Sequence, residues 1–388
     1  MRIAAFTAFF ILRSYVLILN SMAVQSQDRR LAVAVVGAGA FGRNHARVYH
    51  ELQKRGDAVE LVAIVDSDAA RAQALARQFG VRAYRSLQEP LDTVRVDAAS
   101  VAVPTVQHCE VAKALLRAGA DVLIEKPLAS TLEEADDLIR TAHVAGRIAQ
   151  VGHLERFNPA VRATVPIVTQ PMFFEVHRLS PFGPRALDVD VVLDLMIHDL
   201  DIVLSFVNSP VTEVRAVGLP ILSEKVDIAN VRMEFESGCV ANFTASRVST
   251  ERVRKLRFFQ PRQYVSVDYS RQDVLVISVD PQIQEAAAVP AEGKETPAGM
   301  FNLEEIQRAI AARAKKALGI PPQFKIEKPK VAQEEPLQAE LYSFLDAVRR
   351  RTPPVVSLQD GRRALKAALD ILEAIRSHSQ RAKLGSIS

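Results

Sequence analysis

Several residue types and patterns are scarce or missing in this sequence, and each absence narrows the class of protein. The 388 residues contain no tryptophan and two cysteines, Cys109 and Cys239, which form neither a CxxC pair nor a Cys/His ligand spacing. This argues against a disulfide framework and a structural zinc site, and we expect no metal. The net charge is only +4, and the basic residues are scattered, which argues against a nucleic-acid-binding protein.

A long uninterrupted apolar run is also missing. Residues 1–23 are apolar, but Arg13 divides them into segments of about ten residues, whereas a spanning helix needs roughly 20. We expect Met22 to be the true start and the protein to be cytoplasmic. The alternative is a signal peptide or anchor in residues 1–22, which would make the protein exported or membrane-anchored.

Strands and helices alternate through the first part of the chain. Short apolar runs without alternation lie at residues 31–36, 60–66, 97–104, 121–127 and 147–152. Such runs suit parallel strands covered on both faces, and helical patterns lie between them. The sequence therefore predicts an α/β domain, a Rossmann-type doubly wound parallel sheet, over about residues 31–150.

The pattern changes after about residue 165. One long apolar helix is predicted at about 187–207, and β-branched segments then follow one another without helices, which predicts a mainly antiparallel sheet. Residues 280–335 are interpreted as a long connection, and two helices close the chain. We expect an extension at 1–29, a Rossmann domain at 30–152, an α+β substrate and oligomerisation domain with an open sheet at 153–335, and C-terminal helices at 336–388.

The segment "VVGAGAFGRNH" carries a G-x-G-x-x-G motif that follows a predicted strand and opens a helix. Gly37 permits a tight turn, Gly39 lets the backbone approach a pyrophosphate, and Gly42 lets the helix pack against the strand. The next strand ends in Asp66, whose carboxylate can bind both hydroxyls of an adenosine ribose. Because a 2′-phosphate would meet a like charge there, the motif favours NAD over NADP.

Two further patterns carry candidate catalytic groups. Lys126 follows a predicted strand in "IEKPL", at the edge where open α/β sheets bind ligands; the alternative is a surface turn in which Glu125 is its salt-bridge partner. In "LDLMIHDLD", Asp194 and Asp201 are four and three residues from His198, so all three share one helix face, whereas Asp199 points about 100° away. An imidazole titrates near neutral pH and suits a general base.

Three motifs together resemble the Gfo/Idh/MocA oxidoreductases: G-x-G-x-x-G-x-x-H at 37–45, the stretch 103–129 that ends in "EKPLA", and D-x-x-x-H-D-x-D at 194–201. The resemblance covers nearly the whole chain from about residue 30. It implies hydride transfer between a sugar alcohol and NAD, with Lys126, His198 and Asp194 as the catalytic residues. It also implies a homodimer or homotetramer.

The resemblance implies the cofactor contacts as well. They are Gly37, Gly39, Ala40, Phe41, Gly42, Asp66, Pro104, His108, Glu125 and Lys126.

More closely, residues 152–161, 177–201 and 226–249 are similar to a bacterial branch of that family that oxidises UDP-N-acetylglucosamine at C3, in lipid A or surface-glycan synthesis. Arg156, Arg178 and Arg185 would then bind the substrate with Asp194 and His198, because arginine forks match phosphate oxygens. Alternatively, these arginines pair with acidic neighbours such as Glu155, Asp188 or Asp190.

Other functions remain open at this point. They are a dehydrogenase of inositol or free sugars, an NAD-dependent glycoside hydrolase, a non-enzymatic dinucleotide sensor, and a periplasmic sugar oxidoreductase. Retention of Lys126, Asp194 and His198 argues against a pure sensor, because dinucleotide binding alone needs none of them.

Overall fold

A computed structural model describes residues 30–183, 189–279 and 324–382. The chain divides into two compact units, one drawn from Met1–Phe157 and Glu334–Leu369, the other from Asn158–Gln333 and Asp370–Ser388. The predicted boundary after residue 152 lies five residues before the observed division, and the C-terminal helices do not stand apart as predicted. The predictions for residues 1–29 and for most of the 280–335 connection lie outside the described residues.

The first unit is built on a six-stranded parallel sheet, as the sequence predicts. Its strands are β1 (Leu31–Val36), β2 (Val59–Val65), β3 (Arg82–Tyr84), β4 (Ala98–Val101), β5 (Asp121–Glu125) and β6 (Ala149–Gly152). The strand order is β3-β2-β1-β4-β5-β6, the Rossmann order. Strands β4, β5 and β6 are buried at every residue, because helices cover both faces of such a sheet.

Five helices connect these strands. They are α1 (Ala40–Arg55), α2 (Ala69–Phe79), α3 (Gln88–Thr93), α4 (Thr105–Arg117) and α5 (Leu132–Ala145). The predicted stops are confirmed: Gly80 caps α2 with a φ of 69°, and Gly119 follows the last residues of α4 with a φ of 89°. Strand β3 and helix α3 were not predicted, because three and six residues are too short to show a period.

The second unit contains an eight-stranded sheet in the order β14-β13-β12-β11-β7-β10-β9-β8, in which only β7 and β10 pair in parallel. The strands are β7 (Phe173–Leu179), β8 (Val211–Leu219), β9 (Ile228–Phe235), β10 (Val240–Ser246), β11 (Val253–Gln260), β12 (Gln263–Asp268), β13 (Asp273–Val279) and β14 (Phe324–Glu327). The mainly antiparallel prediction is therefore confirmed. Strand β14 corrects the interpretation of 280–335 as a connection throughout.

Two helices of this unit precede β8. They are α6 (Pro159–Thr164) and α7 (Ile197–Phe206), and a π-helical turn at Val192–Met196 runs directly into α7. The rings of Phe206 and Phe258 meet edge-on with centroids 6.1 Å apart, which packs the end of α7 against β11. The predicted helix at 187–207 is thus present, with a wider first turn; residues 184–188 lie outside the described part.

The last two helices are α8 (Pro336–Arg350) and α9 (Leu358–Arg381). Helix α8 completes the core of the first unit, where Leu341, Phe344 and Leu345 are fully buried beside Tyr49 of α1. Among the described residues, no helix combines the length and the apolar character that crossing a bilayer requires.

Candidate active site

The glycine-rich turn between β1 and α1 needs each of its three glycines for a different reason. Gly37 has a φ of 101°, and a Cβ there would lie 2.3 Å from the Ala102 carbonyl oxygen. A Cβ on Gly42 would lie 1.7 Å from the Gly37 carbonyl oxygen, so only glycine lets α1 pack this closely. Gly39 has open space where a Cβ would be, which leaves its backbone accessible to a ligand.

The start of α1 is suited to bind phosphate. Gly39 occupies the N-cap position and has no side chain to satisfy the first N–H groups of the helix. Ala40 and Phe41 follow in the first turn and are exposed. The free N–H groups and the positive end of the helix dipole therefore offer an anion site at the position predicted for the cofactor phosphates.

Asp66 lies beside this turn. Its carboxylate accepts hydrogen bonds from the backbone N–H of Ala38 (2.7 Å) and of Asp68 (2.9 Å). It lines a cavity of about 400 Å³ with Gly37, Gly39 and Arg71. Pro104 lines the same cavity. The turn, the helix start and this acidic group fit an adenine dinucleotide with a free ribose 2′-hydroxyl.

Lys126 follows the last residue of β5, at the same carboxyl edge of the sheet as the glycine-rich turn after β1. It is half-buried, and its peptide bond to Pro127 is cis. The strand end therefore places an amine at the edge where ligands bind in open α/β sheets.

Two of the predicted cofactor contacts, His108 and Glu125, form hydrogen bonds within the protein. The ring nitrogens of His108 lie 2.9 Å from the carbonyl oxygens of Pro127 and Val103. Burial lowers the pKa of His108, so a neutral ring donates to one of these carbonyls. Glu125 is buried and lies 2.8 Å from Nε2 of His45, a helix residue that the sequence placed near the cofactor. His108 and Glu125 thus bind protein groups in this structure, and their contact with the cofactor stays a prediction.

In the second unit, Asp194 lies in the π-helical turn and His198 in the first turn of α7. Both are half-buried, whereas Asp199 and Asp201 are buried. Asp201 follows His198 by three residues in the regular part of α7 but is buried, so the half-buried candidates are Asp194 and His198. Single π-helical turns are frequent at functional sites.

Arg178 is paired within the protein. Its Nε and Nη2 donate to the two carboxylate oxygens of Asp199, at 2.6 and 2.9 Å, and only 3% of the residue is exposed. The guanidinium also lies 5.2 Å from the ring centre of Tyr269. Arg178 therefore forms a buried ion pair between β7 and α7, with an acid that the sequence did not suggest as its partner, and its predicted substrate contact stays a prediction.

Arg156 and Arg185 are the other two arginines predicted to bind the substrate. Arg156 lies in a short 3₁₀ helix, Leu154–Phe157, where Nη2 is 3.9 Å from a carboxylate oxygen of Asp360. This is a long contact at a partly exposed site. Arg185 lies outside the described residues.

One further buried pair was not foreseen from the sequence. Arg247 donates from Nε to Asp227 (2.7 Å) and from Nη1 to the carbonyl oxygen of Val189 (2.6 Å). Burial would raise the pKa of Asp227, but hydrogen bonds from the backbone of Leu222 and from Arg247 hold it well below its usual value. The pair fixes the chain just ahead of the helix that carries His198. No local sequence pattern links residues 20 positions apart in this way.

Comparisons with known proteins agree with this geometry. Residues 31–153 match the family model described as "Oxidoreductase family, NAD-binding Rossmann fold", and residues 168–263 match the GFO/IDH/MocA C-terminal domain. The UDP-N-acetylglucosamine 3-dehydrogenase of Acidithiobacillus ferrooxidans is 33% identical over 352 residues, which are 90% of this chain and 99% of that protein.

A solved structure of that Acidithiobacillus enzyme superposes with a TM-score of 0.76 at 32% identity and covers 91% of this chain and 99% of its own. The scyllo-inositol 2-dehydrogenase (NAD(+)) of Bacillus subtilis is 27% identical over 238 residues, which are 57% of this chain and 69% of that protein.

Replacing Asp66 by alanine should weaken NAD binding and relax discrimination against NADP. Loss of hydrogen bonds to a charged group costs about 1.5–3 kcal/mol, or roughly 10- to 100-fold in affinity. Arg71, now 3.9 Å from the Asp66 carboxylate, would become available to a 2′-phosphate. Titration with NADH and NADPH measures both effects.

Asp92→Asn is the control for this test, because Asp92 is an exposed acid on α3 that does not line the cavity containing Asp66 and Arg71. Wild-type protein that binds NADP at least as tightly as NAD would show the interpretation of Asp66 to be wrong.

Replacing Arg178 by methionine should destabilise the protein, because the buried Asp199 carboxylate loses its partner. Breaking one side of a buried ion pair costs about 3–5 kcal/mol. Urea unfolding measures the loss. Arg215→Met, which breaks an exposed pair with Glu213, is the control and should change stability by less than about 1 kcal/mol. Wild-type stability of Arg178→Met with weakened binding of a phosphorylated substrate would instead support the phosphate role.

Proposed function

Since this chain belongs to the Gfo/Idh/MocA family of NAD-binding oxidoreductases, we propose that it oxidises a UDP-linked N-acetylamino sugar at C3. The oxidation would supply a precursor for lipid A or another surface glycan. The observation that carries the proposal is the length of the similarity to the Acidithiobacillus enzyme, which spans 90% of this chain and therefore both units. The match to the inositol dehydrogenase covers 57% of the chain.

Bound NAD supplies a nicotinamide that accepts the hydride from the sugar carbon. In the first unit, the helix start at Gly39 and Ala40 binds the phosphates, and Asp66 holds the adenosine ribose. Lys126, at the carboxyl edge of the same sheet, donates a hydrogen bond to the reacting oxygen. Its positive charge stabilises the negative charge that develops there as the alcohol becomes a ketone.

His198 takes the proton of the substrate hydroxyl. A neutral imidazole is a suitable base because its ordinary pKa lies near physiological pH. Asp194, on the same half-buried side of the helix, orients either the imidazole or the sugar. The ion pair of Arg178 with Asp199 anchors the first turn of this helix, and Arg247, paired with Asp227, holds the chain just before it through the Val189 carbonyl oxygen.

For the diphosphate of the substrate, the proposal now depends on Arg185 and Arg156. Arg156 is partly exposed, and its contact with Asp360 is long enough to be exchanged for a phosphate oxygen. Arg185 lies in "FGPRALD", a few residues before the helix of Asp194 and His198.

We further propose a cytoplasmic homo-oligomer that associates through the second unit. On β7, β11 and β12, residues alternate between buried and half-buried, so one face of the sheet stays open in the described part of the chain. That face carries Phe173, Phe259 and Tyr264, whose rings contact one another at centroid distances of 5.6 and 5.1 Å. Clustered exposed aromatic rings are typical of protein interfaces.

Replacing Lys126 or His198 by alanine should each lower kcat by roughly 10²–10⁴-fold, the usual contribution of a positioned acid or base. NAD affinity should change little, because neither residue contacts the adenosine half of the cofactor site. Steady-state turnover and NADH binding, measured on the same samples, separate the two effects.

Lys54→Ala and His143→Ala are the controls, since both residues are exposed at the ends of helices in the first unit. A decrease in kcat of tenfold or less in both variants would show that Lys126 and His198 are not catalytic.

The substrate class is tested by NADH formation with UDP-N-acetylglucosamine, other UDP-sugars, inositols and free hexoses. We expect UDP-N-acetylglucosamine to be oxidised most efficiently. Arg185→Ala should raise KM for it far more than it lowers kcat, as expected when uniform binding is lost. Equal efficiency with free sugars or inositol would leave only the broader dehydrogenase assignment.

A further inference from the structure

The interior of the first unit contains a cluster of titratable side chains that the proposed chemistry does not use. His45 of α1 and Glu340 of α8 are both 0% exposed, and Glu125 at the end of β5 is 7% exposed. One nitrogen or oxygen atom of each lies within 4.8 Å of those of the other two. Two carboxyl groups are thus buried together, which is costly unless they share hydrogen bonds or protons.

The Glu125 carboxyl is held from two sides. Oε1 lies 2.8 Å from His45 Nε2. On the other side is Gly152 of β6, where a Cβ would come within 3.1 Å of Oε1 and 3.2 Å of Oε2. Glycine at 152 therefore makes room for this carboxyl, and the carboxyl has little freedom to move.

Glu340 is the third member of the cluster, and its backbone carbonyl oxygen accepts a hydrogen bond from Gln150 Nε2. Neither of its carboxyl oxygens has a partner in the described part of the chain, and neither does Nδ1 of His45. Burial, and then the charge of Glu125, raise the pKa of Glu340 well above its usual value, so its neutral form is favoured. Tyr49 of α1 is also close enough for its pKa to be raised by burial and by the Glu340 and Glu125 charges.

A divalent cation is the obvious alternative occupant of such a cluster. However, the 2.8 Å between His45 Nε2 and Glu125 Oε1 is a hydrogen-bond distance, shorter than the roughly 3.3 Å that separates two ligands of a tetrahedral zinc. The contact therefore fits a hydrogen bond and does not fit two ligands of a tetrahedral zinc.

We propose that Glu340 is a positioning residue for Lys126: its buried carboxyl group, within 4.8 Å of His45 and Glu125, confines that pair and so fixes the end of the strand that carries the lysine. This inference rests on the proposed function for the role of Lys126. Glu125 is the residue immediately before Lys126, so confinement of its side chain also restricts the backbone from which the lysine extends. A misplacement of about 1 Å at a reacting group can cost on the order of 10²-fold in rate.

The test compares Glu340→Gln, which keeps the shape and neutrality of the protonated acid, with Glu340→Leu, which keeps the approximate volume but removes the polar group. We expect Glu340→Gln to retain wild-type kcat. Glu340→Leu should lower kcat by about 10- to 100-fold, with KM for NAD nearly unchanged, because only the lysine is displaced. If Glu340→Leu does not fold, Glu340→Met replaces it in the comparison.

A second readout does not depend on turnover. The rate at which acetic anhydride modifies Lys126, followed by mass spectrometry across a pH series, reports the exposure and basicity of that amine. It should change in Glu340→Leu but not in Glu340→Gln, while the rate at the exposed Lys54 stays constant as an internal reference. If no tested sugar is oxidised, this readout still tests the positioning role, and the proposed function fails separately.

Asp346 provides the matched control on the same helix, because it is partly exposed and pairs with the exposed Arg350. Asp346→Leu should affect neither kcat nor Lys126 labelling. The proposal is overturned if Glu340→Leu leaves kcat and labelling at wild-type values, or if Glu340→Gln is as impaired as Glu340→Leu. It is also overturned if elemental analysis finds one equivalent of a divalent metal that Glu340→Gln loses.

Discussion

The hydrogen bond between His45 and Glu125 joins the two parts of the first unit on which its site depends. His45 lies in the helix whose start is proposed to bind the dinucleotide phosphates, and Glu125 ends the strand that leads into Lys126. A displacement of α1 would therefore also displace the end of β5. The G-x-G-x-x-G-x-x-H spacing places the histidine on the second turn of α1, directed into the interior. The phosphate site and the lysine are thus parts of one packed structure.

The second unit shows how an apolar helix can carry several charges. Asp199 is neutralised by Arg178 of β7, and the two form a closed pair that anchors α7 to its sheet. Asp194 and His198 remain half-buried. Charges that look alike in "LDLMIHDLD" therefore lie in different environments: Asp199 attaches the helix to its sheet, whereas Asp194 and His198 are the residues proposed for catalysis.

The sequence predicted the features that depend on local periodicity or on backbone conformation. The continuous burial of β4, β5 and β6, the Gly80 helix stop and the three glycine roles around Gly37 all follow from short-range patterns. The partners of buried charges do not, because nothing local to Arg178 or Arg247 indicates whether a phosphate or a carboxylate meets it. The π-helical turn before His198 and the packing of α8 into the first unit likewise depend on residues distant in sequence.

The return of residues 334–369 to the first unit has a consequence for biosynthesis. On the ribosome, β1 to β6 and their helices emerge long before α8, so the nascent Rossmann sheet carries an apolar surface beside Tyr49 that Leu341, Phe344 and Leu345 later cover. Glu340 enters the interior at that same late step. The buried cluster next to Lys126 is therefore completed only after most of the second unit has been translated. A chain released before that point would lack α8, and the apolar surface beside Tyr49 would stay exposed.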